Sequence, residues 1–522
     1  AMAIHDLGGE AVSLTGGQIG IRTDSSHGKA RIQSIGAERV LGHLDAGRIV
    51  IAAGFQGVDD DGNITTLGRG GSDTTAVALA AVLGADACEI YTDVDGVFTT
   101  DPRIEPAARK MGCVSHDEML ELASLGAGVM HSRSIEFGKK FNVPIHVRNS
   151  GVFTDAPGTI IGPLPESPDR PVSGAALTKN EAQLTVVGVP DRPGAGVAIL
   201  EALAAENLAV DMIVQNRGAD GHADMSFTVL DGDLPAAKAA AERAAAAVGA
   251  GRVRRGEPAA KVSVVGLGMA EQSGVAARMF QSLAKGGVNI RAITTSTIKV
   301  SCLVDREQGQ EALRVVHREF SLDREPQSAN SAEASLAAAK RTDHADAAAV
   351  VARLRAMEGL TIDGCRVDNG QALVSLREVP DTPGVAARLF ESLGEAGVFV
   401  DLIVQNVASE RGDNGSPGLT TIGFTVPLAS VGAAKSVAEQ AAAVGPDGQV
   451  TVDTSVAILS VSGVGVRSHT GVAERLFRAL GAADVNVELI GTSEMEVSVV
   501  VAGDHAQTAL SAAESAFADV AG

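Results

Sequence analysis

The sequence has 522 residues, of which 45% are apolar and only 3% aromatic, and its formal net charge is −21 with an isoelectric point near 5.0. This length predicts several domains. The negative charge argues against general binding to nucleic acid or to an anionic membrane, because their phosphates would repel the chain. The four scattered cysteines lack the spacing of metal ligands and indicate reduced thiols in a cytoplasmic protein. No apolar run is long enough to span a bilayer.

The first 162 residues alternate strand-like and helix-like segments, which is typical of an α/β sheet covered by helices. A buried strand is predicted over Arg48–Gly54, a helix over Thr74–Leu83 that ends at a glycine, and another strand over Ala87–Thr92. Because the chain begins inside a helix-like stretch, Ala1–Leu7, we expect a further N-terminal segment before it.

A glycine-rich string, Gly68-Arg69-Gly70-Gly71-Ser72-Asp73-Thr74-Thr75, lies between an extended stretch and the predicted helix. We interpret Ser72 as the helix N-cap and Asp73 as a residue of the first turn. Backbone N–H groups at a glycine-rich helix start bind anions, and the Arg69 guanidinium suits a carboxylate or a phosphate. The alternative is a capped turn with a surface arginine, which is the usual interpretation of an isolated Gly-Gly-Ser.

A second string follows at the end of the next strand: Tyr91-Thr92-Asp93-Val94-Asp95-Gly96-Val97-Phe98-Thr99-Thr100-Asp101-Pro102-Arg103. This is the position at which a parallel sheet presents the crevice at its carboxyl ends. Asx turns alone would explain the acids, but the hydroxyls and the cation of Phe98–Arg103 could hold a nucleotide. The two strings together therefore predict a phosphoryl-transfer site. It would work without a Walker-type phosphate loop, which the sequence does not contain.

An internal repeat follows a Pro-rich stretch at residues 163–174, which is predicted to be a linker. The repeated strings are Val189-Pro190-Asp191-Arg192-Pro193-Gly194 with Val379-Pro380-Asp381-Thr382-Pro383-Gly384, and Asp211-Met212-Ile213-Val214-Gln215-Asn216 with Asp401-Leu402-Ile403-Val404-Gln405-Asn406. A sister unit also repeats, and its later strand over Ile293–Val304 returns as Ile490–Val501. We predict two pairs of duplicated modules, 175–321 and 350–522, separated by a linker over 322–349.

The two strings resemble the signatures of aspartate kinases, which are members of the amino-acid kinase superfamily. Three further segments are similar to family segments: Ser13-Leu14-Thr15-Gly16-Gly17-Gln18, Glu118–Ala123 and Pro144–Ser150. The repeated modules resemble ACT domains, which sense amino acids, and two pairs of them resemble a subset of bacterial aspartate kinases. The resemblance implies an α/β fold. An αβα-sandwich amino-acid kinase domain, incomplete at its N-terminus, would cover residues 1–162 and precede four α+β ACT modules of order βαββαβ.

The resemblance implies that ATP, with Mg²⁺, phosphorylates the side-chain carboxylate of L-aspartate to 4-phospho-L-aspartate, the first step towards lysine, threonine and methionine. It implies Arg69 and Asp73 as catalytic residues, with Arg69 on the substrate carboxylate and Asp73 orienting the substrate or the transferring phosphoryl group. The implied substrate-binding residues are Thr15, Gly16, Arg69, Gly70, Gly71 and Ser72. The implied nucleotide-binding residues are Thr92, Asp93, Phe98, Thr99, Thr100, Asp101, Pro102 and Arg103. No metal ligand from the protein is implied.

The resemblance also implies feedback control by lysine, threonine or both at interfaces between ACT domains, in a homo-oligomer assembled through those domains. The implied effector-binding residues are Asp191, Gly194, Gln215, Asn216, Thr295, Ser296, Asp381, Gln405, Asn406 and Ser493. Side-chain amides and the N–H groups of a helix start suit the ammonium and the carboxylate of a free amino acid. The alternative is a Pro-Gly turn beside polar strand ends with a structural role only.

Two features depart from the family pattern. The sequence contains no segment of the Lys-Phe-Gly-Gly-Thr-Ser type, which contacts phosphates in the family, and Gly128 stands where many members carry a lysine. We therefore expect weak or absent turnover from these 522 residues alone. One alternative is a non-catalytic amino-acid-sensing subunit. Another is a kinase of the superfamily with a different acceptor, against which the glycine-rich string and the repeats argue.

Overall fold

The computed structural model describes residues 1–126, 128–152, 158–206, 208–217, 221–270, 272, 274–339, 360–409, 418–445, 447–464, 466 and 472–520. The chain forms two compact units. The first consists of Ala1–Phe98, Lys110–Ser167 and Pro326–Leu360, and the second of Thr99–Arg109, Pro168–Glu325 and Thr361–Gly522. Residues 340–349 of the predicted linker and residues 350–359 of the predicted second pair lie outside the described residues.

The first unit contains three sheets and the helices that pack on them. Its elements up to residue 162 are α1 (Met2–Asp6), β1 (Ala11–Leu14), α2 (Gly16–Ile19), β2 (Arg22–Thr23), β3 (Ile32–Ser34), α3 (Glu38–Asp45), β4 (Ile49–Ala52), β5 (Gln56–Val58), β6 (Ile64–Thr66), α4 (Gly71–Leu83), β7 (Cys88–Thr92), β8 (Cys113–Ser115), α5 (His116–Ser124), α6 (Ser132–Lys140), β9 (Ile145–Asn149) and β10 (Thr159–Gly162). β1 and β4 are parallel, and their carboxyl ends lie side by side. β7 and β9 are also parallel, in a sheet of order β7-β9-β10-β8, while the third sheet has the order β3-β2-β5-β6.

The glycines at both ends of α4 explain its boundaries. The helix ends at Gly84 as predicted, because the φ of 60° there is left-handed backbone that glycine adopts without strain. It begins at Gly71, three residues earlier than predicted, and Ser72 is not its N-cap. That prediction was wrong because Gly70, with a φ of 66°, occupies the cap position. Its carbonyl oxygen accepts both the N–H and the hydroxyl of Thr74 at 2.9 Å.

The second unit contains the internal repeat. Its first elements are β11 (Gly174–Pro190), α7 (Ala195–Ala205), β12 (Asp211–Arg217), β13 (His222–Leu230), α8 (Leu234–Val248), β14 (Val253–Arg255), β15 (Ala259–Val265), α9 (Val275–Lys285), β16 (Ile290–Ser296), β17 (Lys299–Asp305) and α10 (Gly309–Glu319). The chain then adds α11 (Ala332–Ala338) to the first unit, where it packs on β10. The later elements of the second unit are β18 (Thr361–Asp368), β19 (Gln371–Pro380), α12 (Val385–Glu395), β20 (Ile403–Ser409), β21 (Leu419–Pro427), α13 (Val431–Ala442), β22 (Gln449–Asp453), β23 (Val456–Val464), α14 (Val472–Ala482), β24 (Leu489–Thr492), β25 (Glu496–Ala502) and α15 (Ala506–Phe517).

Two segments that the sequence predicts as single strands are antiparallel hairpins. Residues Ile293–Val304 fall on β16 and β17, and Ile490–Val501 fall on β24 and β25. In the second hairpin the chain reverses at Ser493, whose hydroxyl accepts the N–H groups of Met495 and Glu496 at 3.2 and 3.0 Å. A serine turn of this kind reverses the chain without glycine or proline in the turn.

The four modules of the repeat are interleaved in pairs. The first and third have the predicted βαββαβ order, with sheets of order β12-β13-β11-β14 and β20-β21-β19-β22. In the part of the chain that the structure describes, the second and fourth modules do not end in a strand of their own. A strand that precedes the first module of the same pair completes each of these sheets instead. Gly174–Thr178 of β11 pairs with β15, and β18 pairs with β23. The second module of each pair therefore depends on the chain that leads into the first.

The modules of one pair also face those of the other pair. β16 and β20 are antiparallel neighbours, with Ile293 opposite Gln405, and they join the second and third modules in one eleven-stranded sheet. The helices α9 and α12 pack together, and the ring centroids of Phe280 and Phe390 lie 5.4 Å apart. The first module meets the fourth through α7 with α14 and β12 with β24.

A buried ion network ties the first module to the second. The Lys261 ammonium lies 3.0 Å from a Glu181 carboxylate oxygen and also binds the Asp211 carboxylate. The side chains of Lys261 and Glu181 are each only 3% exposed. In the other pair, Asp401 and Ile458 stand at the positions of Asp211 and Lys261 and line one small cavity together. The two pairs thus differ in charge at an equivalent buried position.

A buried histidine makes the first unit sensitive to acid. His116 lies at the start of α5 with its Nε2 3.2 Å from the Val143 carbonyl oxygen, to which the neutral ring donates. Burial lowers the pKa of His116 from 6.5 to about 4. Because the unfolded chain takes up the proton first, stability is lost as the pH falls through about 6.5 towards 4. We expect this group to remove about 3 kcal/mol from the free energy of unfolding over that window.

Urea denaturation followed by circular dichroism between about pH 7 and pH 4 measures this effect. His116→Gln keeps a donor for the Val143 carbonyl but does not titrate, so its stability should fall less steeply with acid. An equally steep fall in this variant would contradict the assignment.

Candidate functional site

Two helix N-termini meet at the glycine-rich string of the first unit. α4 begins after Gly70 and α6 begins after His131. A Cβ placed on Gly70 would lie 2.3 Å from the Cβ of His131, so only glycine permits this approach. The free N–H groups in the first turn of a helix carry partial positive charge. The junction is therefore suited to an anionic group.

Charged side chains of the same string surround this junction. Arg69 and Ser72 are exposed, whereas Asp73 is half-buried. Burial raises the pKa of Asp73, and the charge of His131 and a hydrogen bond from Ser72 partly oppose that rise. Burial has the opposite effect on the pKa of His131, which it lowers, because burial disfavours the charged form of either group. An exposed guanidinium can bind a carboxylate and the Asp73 carboxylate an ammonium, so together they suit an amino acid.

The predicted substrate segment Thr15–Gly16 lies against the turn that follows β4. Thr15 caps the short α2 through reciprocal hydrogen bonds with Gln18. A Cβ on Gly16 would lie 2.4 Å from the carbonyl oxygen of Gln56, the first residue of β5, which directly follows that turn. The preceding N–H, of Phe55, donates to the Thr75 hydroxyl of α4 at 3.1 Å. The turn thus connects the Thr15 segment with the helix that carries Asp73.

Phe55 is a residue of this site that sequence analysis missed. Its φ of 71° is left-handed, which is strained for a residue with a Cβ, and 45% of the residue is exposed. Backbone strain of this kind tends to occur at functional sites, where the surrounding structure enforces it. No sequence pattern marks a left-handed phenylalanine, although its position directly after a predicted strand could have drawn attention to it.

The beginning of the second string lies at the carboxyl ends of β7 and β9, as the sequence predicts. The Thr92 hydroxyl donates to the Asp93 carboxylate at 3.2 Å, and the Asn149 amide donates to the Asp95 carboxylate at 2.7 Å. Both carboxylates are exposed, so this edge of the sheet presents acceptors to solvent. Asn149 joins the group from β9; it lies in the segment Pro144–Ser150 that resembles the family, but sequence analysis did not identify it as a site residue.

The end of the second string belongs to the second unit. Phe98 is its last residue in the first unit, and Thr99 and Thr100 are buried within the second. Arg103 forms a two-bond pair with the Asp101 carboxylate, at 2.9 and 2.8 Å. The nucleotide-binding residues that the resemblance implies are therefore divided between the two units. Arg103 and its neighbour Pro102 are exposed.

Two equivalent interfaces in the second unit contain four of the effector residues that the resemblance implies. Their hydrogen bonds are Asn486 Nδ2 to Asp191 Oδ1 (2.7 Å), Asn289 Nδ2 to Asp381 Oδ1 (3.1 Å), Gln215 Nε2 to the Val487 carbonyl (3.2 Å) and Gln405 Nε2 to the Ile290 carbonyl (3.1 Å). The first and second bonds are equivalent in the repeat, and so are the third and fourth. This is because the first module packs on the fourth in the same way as the third packs on the second. The two asparagines are donors that sequence analysis did not identify, since their partners lie in other modules.

A cavity of about 120 Å³ lies at the interface of the second and third modules. Gly274 at the start of α9, Ser296 at the end of β16, Phe390 and Asp401 are among its lining residues. Burial raises the pKa of Asp401, and the negative charge of Glu496 adds to the rise. A ligand ammonium in this cavity would stabilise the ionised carboxylate.

The remaining effector residues of the resemblance have identifiable local roles or are not described. The Thr295 hydroxyl accepts the N–H of Ile403, in β20, at 2.8 Å. It donates to the carbonyl oxygen of Asp401 at 3.2 Å. Ser493 forms the turn between β24 and β25, and Gly194, with a φ of 85°, precedes α7. The side chains of Asn216 and Asn406 lie outside the described residues.

The cysteines are free thiols in this structure. Burial is the main reason that the pKa values of Cys88 and Cys113 rise to about 12, so both stay protonated at neutral pH. Within the described ranges, no three His, Cys, Asp or Glu side chains are grouped so that they could hold a metal ion. A search of the same ranges found no helix with the length and apolar character that crossing a bilayer requires.

Comparisons with known proteins identify both parts of the chain. The model of the amino acid kinase family matches residues 1–149, and that of the ACT domain matches residues 262–320 and 459–517. These matches confirm the predicted fold class, an amino-acid kinase domain followed by ACT domains. The aspartate kinase of Pseudomonas fluorescens (strain SBW25) is 50% identical over 325 residues, which are 62% of this chain and 78% of that protein.

Solved structures agree with this result. The crystal structure of aspartate kinase from Synechocystis is 35% identical with a TM-score of 0.60, over 99% of this chain and 84% of that one. The structure of E. coli aspartokinase III in complex with aspartate and ADP is 27% identical with a TM-score of 0.51, over 60% of this chain and 71% of that one. Since these relatives match the greater part of their own lengths, one of them at half identity, the chain belongs to the aspartate kinase family.

Proposed function

We propose that this protein transfers the γ-phosphoryl group of ATP to the side-chain carboxylate of L-aspartate, and that free amino acids control the reaction through its ACT domains. The observation that carries the proposal is the junction of two helix N-termini beside Arg69 and Asp73. The E. coli relative, whose structure contains aspartate and ADP, supports the same pair of ligands here.

The chemistry requires positioning and charge neutralisation rather than a protein nucleophile. A carboxylate oxygen of aspartate attacks the γ-phosphorus, the bond from that phosphorus to the bridging oxygen breaks, and ADP leaves. The substrate carboxylate is already ionised at neutral pH, so no general base is needed. Arg69 and the helix N-termini at Gly70 and His131 would offset the negative charge of the reacting groups. Asp73 would orient the substrate through its ammonium, and Ser72 would help to seat it.

The nucleotide would lie towards the second string. As the resemblance implies, we assign Thr92, Asp93 and the segment Phe98–Arg103 to the nucleotide. Mg²⁺ would accompany ATP and neutralise part of the phosphate charge.

The ACT half would couple this reaction to the supply of its end products, lysine and threonine, as the first step towards them. The cavity would suit lysine, because the Asp401 carboxylate in its lining could pair with the ammonium of a lysine side chain. The paired Asp–Asn contacts, Asp191 with Asn486 and Asp381 with Asn289, would provide polar groups for a second amino acid. Association of subunits would use the same half.

Asp401→Asn is expected to weaken lysine binding about tenfold, because a neutral amide cannot pair with the ammonium. Isothermal titration calorimetry with lysine measures the dissociation constant directly. Asp363→Asn, which changes an exposed carboxylate on β18, is the matched control and should leave that constant within about twofold. Equal affinities in both variants would show that Asp401 does not hold the ligand.

The activity itself is tested by coupled detection of ADP with the protein expressed from its natural gene. We expect ADP release that depends on L-aspartate and falls when lysine or threonine is added. Turnover with another acceptor but not with aspartate would refute the proposed substrate. Amino-acid binding in calorimetry without any turnover would instead identify a sensing subunit.

A further inference from the structure

Residues 99–109 form a closed loop that is fixed to the second unit. The Thr99 N–H donates to the Arg109 carbonyl oxygen at 2.8 Å, and the Arg109 N–H donates to the Thr99 hydroxyl at 3.1 Å. The Thr99 carbonyl oxygen accepts the N–H of Ala175, in β11, at 2.8 Å. Ile104 packs against the main apolar core of the unit, and Arg109 forms an ion pair with Glu325 at 3.3 Å. The loop is thus held at its base, its tip and its end.

The Thr99 side chain also contacts a histidine of the second module. Its Oγ1 lies 3.2 Å from Nε2 of His317, in α10, and both residues are almost fully buried. Burial lowers the pKa of His317, so the ring is neutral at neutral pH. Because the Thr99 hydroxyl already accepts the Arg109 N–H, its own proton is available for Nε2 as acceptor. One arrangement therefore satisfies the hydroxyl and the ring together.

We infer that His317 is a positioning residue for ATP, which holds Thr99 and thereby fixes the conformation of residues 100–103. The inference rests on the proposed function, which assigns these residues to the nucleotide. His317 belongs to an ACT module and acts only through Thr99. The hydrogen bond between His317 and Thr99 thus joins an ACT module to one end of the proposed nucleotide segment.

His317→Ala is expected to raise the KM for ATP about tenfold, while kcat and the KM for aspartate change less than about twofold. His317→Gln places an amide close to the position of Nε2 and should bring the KM for ATP back to within about threefold of the original. A general loss of structure would not separate the two substrates in this way, nor would it be rescued by glutamine.

Thr185 provides a matched control in the same unit. It is a buried threonine of β11 whose hydroxyl lies 2.7 Å from that of Ser226, in β13. Thr99→Val and Thr185→Val remove the same group, yet only the first should raise the KM for ATP. If His317→Ala does not fold, Thr99→Val carries the test. An unchanged KM for ATP in Thr99→Val and in any folded His317→Ala protein would overturn the inference.

Failure of the proposed function would look different. If the unsubstituted protein shows no aspartate-dependent turnover, calorimetric titration with ATP still tests His317, because His317→Ala should bind ATP about tenfold more weakly. Equal ATP affinity in the two proteins would overturn the inference alone. No ATP binding by the unsubstituted protein would overturn both.

Discussion

Asp73→Asn is expected to lower kcat for aspartate phosphorylation by about a hundredfold or more, since misplacing a reacting group by a fraction of its contact distance has effects of this size. The asparagine side chain has nearly the same shape but no charge, so it loses the attraction for the substrate ammonium at the helix junction. Steady-state kinetics with aspartate and ATP, each varied at saturation of the other, gives kcat separately from both KM values.

Stability distinguishes this effect from damage to the fold. Burial raises the pKa of Asp73, which means that its charge opposes folding at neutral pH. Asp73→Asn should therefore melt at the same temperature as the unsubstituted protein or higher. The control Asp61→Asn, at an exposed turn position, should keep kcat within about twofold. A kcat loss that comes with a lower melting temperature would contradict a role in the reaction.

Lys261→Met is expected to reduce the free energy of unfolding by about 3–5 kcal/mol. The substitution leaves the Glu181 and Asp211 carboxylates without the ammonium that binds both, and Glu181 is almost fully buried. Uncompensated buried charge is among the few single changes with an effect of this size. Urea denaturation at neutral pH measures it. A loss below about 1 kcal/mol would show that water or other groups solvate these carboxylates.

The other half of the repeat suggests the compensating change. Gln371 and Ile458 stand at the positions of Glu181 and Lys261, so the double variant Glu181→Gln with Lys261→Ile copies a combination that the chain already contains. It should recover roughly half of the loss, because one of the two stranded charges is removed. Lys238→Met, which breaks an exposed pair with Glu242 on α8, should cost less than about 0.5 kcal/mol.

Local signals in the sequence predict those parts of the fold that local forces determine. Gly84 ends α4 and Thr92 ends β7 as predicted, and the repeated strings correctly indicate duplicated modules. The start of α4 was predicted wrongly because it depends on His131, which approaches Gly70 from sixty-one positions later in the chain. The spacing of apolar residues in a short stretch of sequence cannot predict a contact between residues so far apart in the chain.

The candidate site shows the same division. The two strings could be found because their residue types suit phosphates and carboxylates. Other features could not be found in this way, because they arise from packing between segments that are far apart in sequence. Examples are the Asn486–Asp191 hydrogen bond and the inclusion of residues 99–109 in the second unit. Asp401 and Asp211 stand at equivalent places in the repeat, yet only the structure shows that Lys261 binds one of them.

The pairing of first module with fourth and of second with third places both interfaces that would bind effectors within a single chain. The local concentration of one pair at the surface of the other is then set by the connecting chain and not by the amount of protein present. Dilution cannot separate the two halves of such an interface. Formation of these two interfaces would therefore not depend on how much enzyme the cell contains.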